Sequence, residues 1–177
     1  MKIYIFFSIL IIGISFTHMT GANDSKLSSI ELRNKVFNLH PSDIGLIQEN
    51  MSQSVWGMVM ETGLPKGSYS LVSLAEGTTS LYFSNGGGII GGGQYESVRK
   101  TADSYLTIAQ RFYVKGKLVN EFPLPEIGVV NFYFFTFNGV KMYSASEDDL
   151  GNKRNELSDL FFAAHGVIGE LRNIQKR

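Results

Sequence analysis

The fold is decided by residues 129–145, which read VVNFYFFTFNGVKMYSA. Two runs of β-branched and aromatic residues flank Asn138-Gly139, the dipeptide that most strongly predicts a tight β-hairpin turn. In the first run, from Asn131 to Phe137, neither of the two alternating faces is polar. A strand with two apolar faces is predicted to lie inside a sheet and to be covered by helix on at least one side.

Three more strands are predicted before this hairpin, over residues 55–60, 68–75 and 78–84. Each is a run of strand length that is rich in β-forming residues. Only Glu76-Gly77 separates the last two runs, and glycine readily takes the positive φ that a two-residue turn requires. The sequence therefore predicts a second tight hairpin here.

Three helices are predicted around these strands. Over residues 94–113 and 157–174, apolar residues recur at alternating steps of three and four, with polar residues on the opposite side. A shorter amphipathic helix is predicted over residues 30–39 and is ended by Pro41. Because each apolar stripe must be buried, the sheet is the expected partner of the two longer helices.

The predicted fold is therefore α+β, with a five-stranded, mostly antiparallel sheet and packed helices. This layout looks like that of profilin and roadblock domains. The split of three and two strands around the central helix departs from the usual order of those domains, and a shared layout does not fix function.

The composition excludes several classes of function. The 177 residues include 16 Lys and Arg, 16 Asp and Glu, and no cysteine. A net charge of zero provides no field to attract a phosphate backbone, which argues against nucleic-acid binding. Without cysteine there is no disulfide framework, no thiolate nucleophile and no Cys-ligated zinc.

Residues 1–22 are predicted to be a cleaved signal peptide. Lys2 provides a short positive region, and a mostly apolar run of 14 residues follows from Ile3 to Phe16. A membrane-spanning helix needs about 20 residues, so this run fits a signal peptide better. Small residues up to Ala22 suit cleavage there; the alternatives are an uncleaved anchor and a buried helix at the start of the chain. We expect a periplasmic or secreted protein in which residues 23–29 are a flexible lead-in and 30–177 form one domain.

Residues 84–93, named the glycine segment here, carry six glycines in eight positions between a predicted strand and a predicted helix. Each glycine costs about 0.5–1 kcal/mol relative to alanine when it is ordered, so the cluster indicates a backbone requirement. One interpretation is close packing beneath a helix, with Ile89 and Ile90 anchored in the core. A second is a recognition surface made of exposed backbone.

The third interpretation of the glycine segment is an anion site. Free N–H groups and the positive end of the following helix dipole would then face a phosphate or a carboxylate. The spacing matches neither the P-loop nor the dinucleotide-binding motif. The candidate binding residues are Ser84, Asn85, Gly86, Gly87, Gly88, Gly91, Gly92, Gly93, Glu96 and Arg99.

The rest of the sequence offers no catalytic or metal-binding pattern, so no catalytic residue, metal or cofactor is predicted. His165 is predicted to be a boundary residue of the last helix and not a general base. Glu147-Asp148-Asp149 lacks the alternating spacing of a calcium loop and is predicted to be a solvated loop. Ser84 lacks the G-x-S-x-G frame of a nucleophile elbow.

Two further features of the first strands are interpreted as structural. Glu61 and Glu76 could pair as catalytic carboxylates, but exposure without catalysis is the prediction for both. Trp56, Met58 and Met60 alternate along one strand and are predicted to be core residues on one face.

Four stretches resemble a family of small, uncharacterised bacterial proteins. They are 56–63 (WGMVMETG), 74–84 (LAEGTTSLYFS), the glycine segment with its GGGIIGGG core, and 122–125 (FPLP). The resemblance extends over about residues 30–174 and implies a single compact domain without a known activity. Many members lack an export signal, and residues 1–22 depart from that pattern.

The sequence as a whole favours an exported, non-catalytic domain that binds another protein or a small ligand through the glycine segment. An inhibitor or an immunity protein that neutralises a toxin is one concrete form. The alternative is a small-anion-binding protein or an enzyme that uses the glycine segment and the N-terminus of the following helix.

Overall fold

The computed structural model describes residues 22–176. The helices and strands alternate along the chain in nearly the predicted order. They are α1 (Ala22–Phe37), β1 (Val55–Leu64), β2 (Gly67–Leu74), β3 (Thr79–Phe83), β4 (Gly88–Ile89), α2 (Glu96–Ala109), β5 (Lys117–Val119), β6 (Val129–Thr136), β7 (Gly139–Ser146), α3 (Glu147–Gly151) and α4 (Ser158–Ile174).

The fold is α+β, as predicted, but its single antiparallel sheet has seven strands instead of five, in the order β4-β3-β2-β1-β6-β7-β5. The two additional strands are the edges of the sheet. β4 has two residues and β5 has three, which is too short for either to show a pattern of alternating residues. β6 lies inside the sheet between β1 and β7, as its two apolar faces predict.

Both hairpins form, but each turn differs from the predicted one. In the β2–β3 turn, Gly77 has a φ of 106°, and the backbone N–H of Leu74 donates to Thr78 O at 2.9 Å, so three residues, 75–77, make the turn instead of the predicted two. In the β6–β7 turn, Gly139 has a φ of 109° and pairs with Thr136. The two unpaired residues are therefore 137 and 138, so the turn begins one residue earlier than the dipeptide indicated.

One face of the sheet is covered by α2 and α4, which match the helices predicted over 94–113 and 157–174. Their apolar stripes are buried together with Met58, Met60, Phe132 and Phe134 from the central strands. This face is the larger of the two hydrophobic clusters. The predicted stripes of α2 and α4 are thus confirmed as the main core contacts.

The opposite face is covered by α1 and by residues 120–128, named the strap here. Phe37 of α1 stacks on Phe122 of the strap at 4.4 Å between ring centroids, and both lie against Tyr133 of β6. α1 begins at Ala22 instead of residue 30 and therefore includes residues 23–29. The leader predicted over residues 1–22 lies outside the described residues except for Ala22. Within the described residues, every helix is too short or too polar to cross a bilayer.

Trp56 lies on the strap face, so the prediction that it shares a face with Met58 and Met60 is wrong. The pairing of β1 with β6 moves from Val55↔Thr136 to Gly57↔Phe135, which makes Trp56 the extra residue of a β-bulge. An extra residue reverses the alternation of side chains before it. Val55 therefore packs on the helix face, and Trp56 packs on the opposite face.

Candidate functional site

The glycine segment forms the β4 edge of the sheet and the connection into α2. Ser84 and Asn85 make the turn after β3, and β4 then pairs with β3 through Leu81↔Ile89 and Tyr82↔Gly88. A short 3-10 helix from Gly92 to Gln94 leads into α2. All ten candidate residues except Arg99 thus lie between the end of β3 and the first residue of α2.

Three glycines of the segment lie in close internal contacts, two of them with backbone oxygens. A Cβ atom on Gly93 would lie 1.8 Å from Gly77 O, and one on Gly88 would lie 2.3 Å from Leu81 O. A Cβ on Gly92 would lie 2.2 Å from Leu171 Cδ2 of α4. The close-packing interpretation therefore accounts for these three positions.

The other three glycines are required by backbone conformation. Gly86, Gly87 and Gly91 have φ values of 106°, 78° and 74°, which side-chain-bearing residues rarely adopt. A Cβ on Gly87 or Gly91 would meet no described atom within 4 Å, so these positions border open space.

Only one of the two isoleucines anchors the segment in the core. Ile89 is buried against the helix face, whereas Ile90 is 60% exposed, which corrects the expectation that both are buried. Tyr95, at the start of α2, is 40% exposed. The segment therefore presents two large, uncharged side chains on a backbone that is fixed by its own glycines.

Among the described residues, none forms a hydrogen bond with the outer side of β4. Phe83 N donates to Gly87 O at 3.2 Å, so the backbone groups of Gly87 and Ile89 point toward β3. Because pairing alternates along an antiparallel strand, the N–H and C=O groups of Gly88 and Ile90 point away from the sheet. Residues 77–95 contain no Asp, Glu, Lys or Arg, so no charged side chain of this stretch protects the edge.

The four polar candidate residues lie at the two ends of the glycine segment and do not form a common pocket. The hydroxyl oxygen of Ser84 accepts a hydrogen bond from the backbone N–H of Ser68 at 2.7 Å and braces the turn. Glu96 is exposed in the first turn of α2 and pairs with Lys100 at 2.7 Å. A carboxylate at that position already interacts favourably with the helix dipole. Asn85 and Arg99 are exposed.

A buried ion pair under α1 was not predicted. Glu61 is fully buried on β1, which overturns the expectation that it is exposed, whereas Glu76 is exposed as predicted. Arg33 of α1 donates to both carboxylate oxygens of Glu61, through Nε at 2.7 Å and Nη2 at 2.8 Å. Nη2 also donates to Phe122 O of the strap at 2.8 Å. This pair, named the latch here, joins α1, the sheet and the strap.

Glu61 of the latch belongs to a row of polar residues that crosses β2, β1, β6 and β7. Ser70 donates to Glu61 Oε1 at 2.6 Å, and Ser144 donates to Asn131 Oδ1 at 2.6 Å. Tyr133 donates to Pro123 O at 2.9 Å, and burial, followed by the charge of Glu61, raises the pKa of its hydroxyl to about 12. A carboxylate that is paired on both oxygens is not available as a general base, so these contacts are structural.

The remaining titratable candidates do not assemble either. His165 lies half-buried on α4, 4.4 Å from the Phe161 ring, with Nε2 3.5 Å from the Tyr69 hydroxyl. Burial lowers the pKa of His165, as expected for a boundary histidine. Glu147 and the two aspartates after it begin α3 instead of a loop, and Arg154 pairs with both aspartates. Within residues 22–176, no group of three His, Asp or Glu side chains could hold a metal ion.

Comparison of this chain with protein-family models, curated proteins and solved structures finds no match.

Proposed function

We propose that this chain is an exported, non-catalytic binding domain for another protein, and that its contact surface is the β4 edge. The observation that carries the proposal is the combination of outward main-chain groups with an exposed Ile90 on an uncharged edge. An extended segment of a partner can add a strand to such an edge, with side-chain contacts giving specificity.

The edge is preformed, which favours binding. Gly88, Gly92 and Gly93 let the backbone of the segment pack closely against β3, α4 and the β2–β3 turn. A rigid surface loses little conformational entropy when a partner docks. Ile90 and Tyr95 are then suitable anchors, since large apolar and aromatic side chains near the centre of an interface contribute most of its binding energy.

An inhibitor or an immunity protein is the form of this function that we favour. Such a protein needs a complementary surface and no reactive groups, which fits the paired state of Glu61. We also propose that this chain is exported and that it belongs to the uncharacterised bacterial family. A profilin-like or roadblock-like layout is part of the same proposal.

Two matched variants test the proposal. Ile90→Lys places a charge on the β4 edge, and Leu118→Lys places one on the β5 edge, where the side chain is 62% exposed. The tagged protein and both variants are used to retain proteins from an envelope extract of the source organism, followed by quantitative mass spectrometry. We expect a protein that the parent and Leu118→Lys retain and Ile90→Lys loses.

The same protein set tests the anion-binding alternative. Phosphate and citrate are added in a thermal-shift assay to the parent, to Arg99→Gln and to Arg111→Gln as a control for an exposed arginine elsewhere. Stabilisation by an anion that only Arg99→Gln abolishes would support an anion site and overturn our proposal. In the retention experiment, our proposal would also be overturned if Ile90→Lys retained the same proteins as the parent. Gly92 is unsuitable as a probe, because any side chain there meets Leu171.

A further inference from the structure

We propose that a second copy of this chain occupies the β4 edge when no other partner does, and that the two copies join their sheets across a two-fold axis. This inference deepens the proposed function and rests on it, because both occupants use the same edge. The two claims are tested separately, since self-association is measured on the purified protein alone.

The outward main-chain groups of β4 are complementary to themselves. They belong to Gly88 and Ile90, which are both exposed. In an antiparallel pairing of two copies, the register that places Gly88 opposite Ile90 of the second copy also places Ile90 opposite Gly88 of the second copy. Each such pair of residues exchanges both of its N–H···O bonds. A single register therefore pairs every outward group of the two edges.

The side chains fit this register. Ile89 packs on the helix face, so Gly88 and Ile90 lie on the strap face. Gly88 has no side chain to obstruct Ile90 of the second copy, and beyond Gly88 lies Tyr82, its partner on β3, which belongs to the strap-face cluster. The two Ile90 side chains are diagonal neighbours across the axis, close enough for contact. Pairing thus covers a side chain that is 60% exposed in the single copy.

Two-fold symmetry favours an edge without charges. Each region of such an interface faces its own copy, so a charged side chain near the axis meets a like charge. Residues 77–95 contain no Asp, Glu, Lys or Arg. At the β5 edge, Lys117 and Lys141 would each lie near their counterparts in a second copy. A second copy therefore suits the β4 edge and not the β5 edge.

The contact is short, which makes the second copy displaceable. β4 has two residues, and Gly87 and Gly91 on either side of residues 88–90 leave the extended conformation with φ values of 78° and 74°. Small interfaces are weak and transient, so a partner with more extensive contacts can replace the second copy. Until then, self-pairing protects an edge that would otherwise be open to indiscriminate strand addition.

Sedimentation equilibrium of the purified protein, in the form that its source organism produces, tests the proposal. We expect a monomer–dimer equilibrium with a dissociation constant below about 1 mM. Ile90→Lys should weaken dimerisation about tenfold, because it removes the apolar contact and places like charges across the axis. Leu118→Lys, at an equally exposed position on the β5 edge, should leave dimerisation unchanged.

An equimolar mixture of Ile90→Lys and Ile90→Asp tests the two-fold register itself. In a mixed dimer the two residues at position 90 carry opposite charges and attract each other, whereas either variant alone brings like charges together. We expect the mixture to associate about fivefold more tightly than either variant alone.

Four results would overturn the proposal. They are a parent protein that remains monomeric at about 1 mM, a dimer that Ile90→Lys leaves intact, a mixture that associates no more tightly than its components, and association that continues beyond two copies. A monomeric parent that retains another protein, which Ile90→Lys then loses, would overturn this inference and leave the proposed function standing.

Discussion

The two edges of the sheet are built differently, although each ends in a very short strand. Along β5, Lys117 is exposed, Lys141 pairs directly with Leu118, and Lys115 forms an ion pair with Glu156 at 2.9 Å. Along β4, the whole stretch of residues 77–95 is uncharged. Ile90 and Leu118 are nevertheless exposed to the same extent, 60% and 62%.

Charged side chains on an edge strand discourage pairing with another chain. The β5 edge carries this protection, and the β4 edge lacks it. The difference indicates that exposure alone does not identify a binding edge. What distinguishes β4 is open main chain without a protecting charge.

The largest effect on stability is expected for the latch. Through Arg33 it joins α1 to the sheet that carries both edges. Arg33→Ala leaves Glu61 buried without its partner, and we expect the free energy of unfolding to fall by about 3–5 kcal/mol. Urea unfolding measures this loss of stability. Lys35→Ala, on the exposed side of α1, is the control. A loss below about 1 kcal/mol, which is ordinary for a surface pair, would show that the latch does not hold the sheet.

A smaller effect is expected from adding one methyl group at each edge. In Gly93→Ala the new Cβ meets the backbone oxygen of Gly77 at 1.8 Å, so the edge must shift, at a cost of about 1–3 kcal/mol. In Gly116→Ala the nearest atom is Lys141 Cβ at 3.0 Å and φ is −74°, so we expect a change within about 1 kcal/mol. Thermal unfolding of both variants checks this, and equal effects would remove the distinction between the edges.

The contact of Gly92 with Leu171 predicts coupling between the β4 edge and α4. Gly92→Ala should be less destabilising when Leu171→Ala has already removed the clashing Cδ2 atom. We expect an interaction energy of about 1 kcal/mol in the double-mutant cycle. Additive effects of the two substitutions would mean that the segment is not packed against α4.

The smallest effect on stability is expected for charges placed on the edges themselves. Ile90→Lys and Leu118→Lys both alter exposed side chains, so each should change the free energy of unfolding by less than about 0.5 kcal/mol. Chemical denaturation checks this and validates the use of both variants in binding assays. A larger loss for Ile90→Lys would assign Ile90 a role in folding instead of recognition.

The sequence predicted the elements whose patterns repeat. The apolar stripes of α2 and α4 and the two hairpins at Gly77 and Gly139 were placed within a few residues, since each depends on local spacing and turn chemistry. Strands β4 and β5 were missed because two or three residues cannot show a period. Their pairing is decided by tertiary contacts.

The errors at the candidate sites have the same origin. Arg33 and Glu61 lie 28 residues apart, and no local pattern connects them. The change of face at Trp56 depends on one extra residue relative to β6, which pairing alone reveals. The glycine segment was recognised because glycine clusters are rare, but which glycines pack inward depends on distant atoms such as Leu171 Cδ2 and Gly77 O.

The most direct test of the β4 edge as a binding surface uses a photoreactive residue, p-benzoylphenylalanine, in place of Ile90 or Leu118. The two positions are equally exposed on opposite edges, so differences in accessibility do not bias the comparison. After irradiation of cells of the source organism, we expect position 90 to give one reproducible cross-linked protein that position 118 does not give. Cross-linking at position 90 that is no greater than at position 118 would show that the β4 edge is not the binding surface.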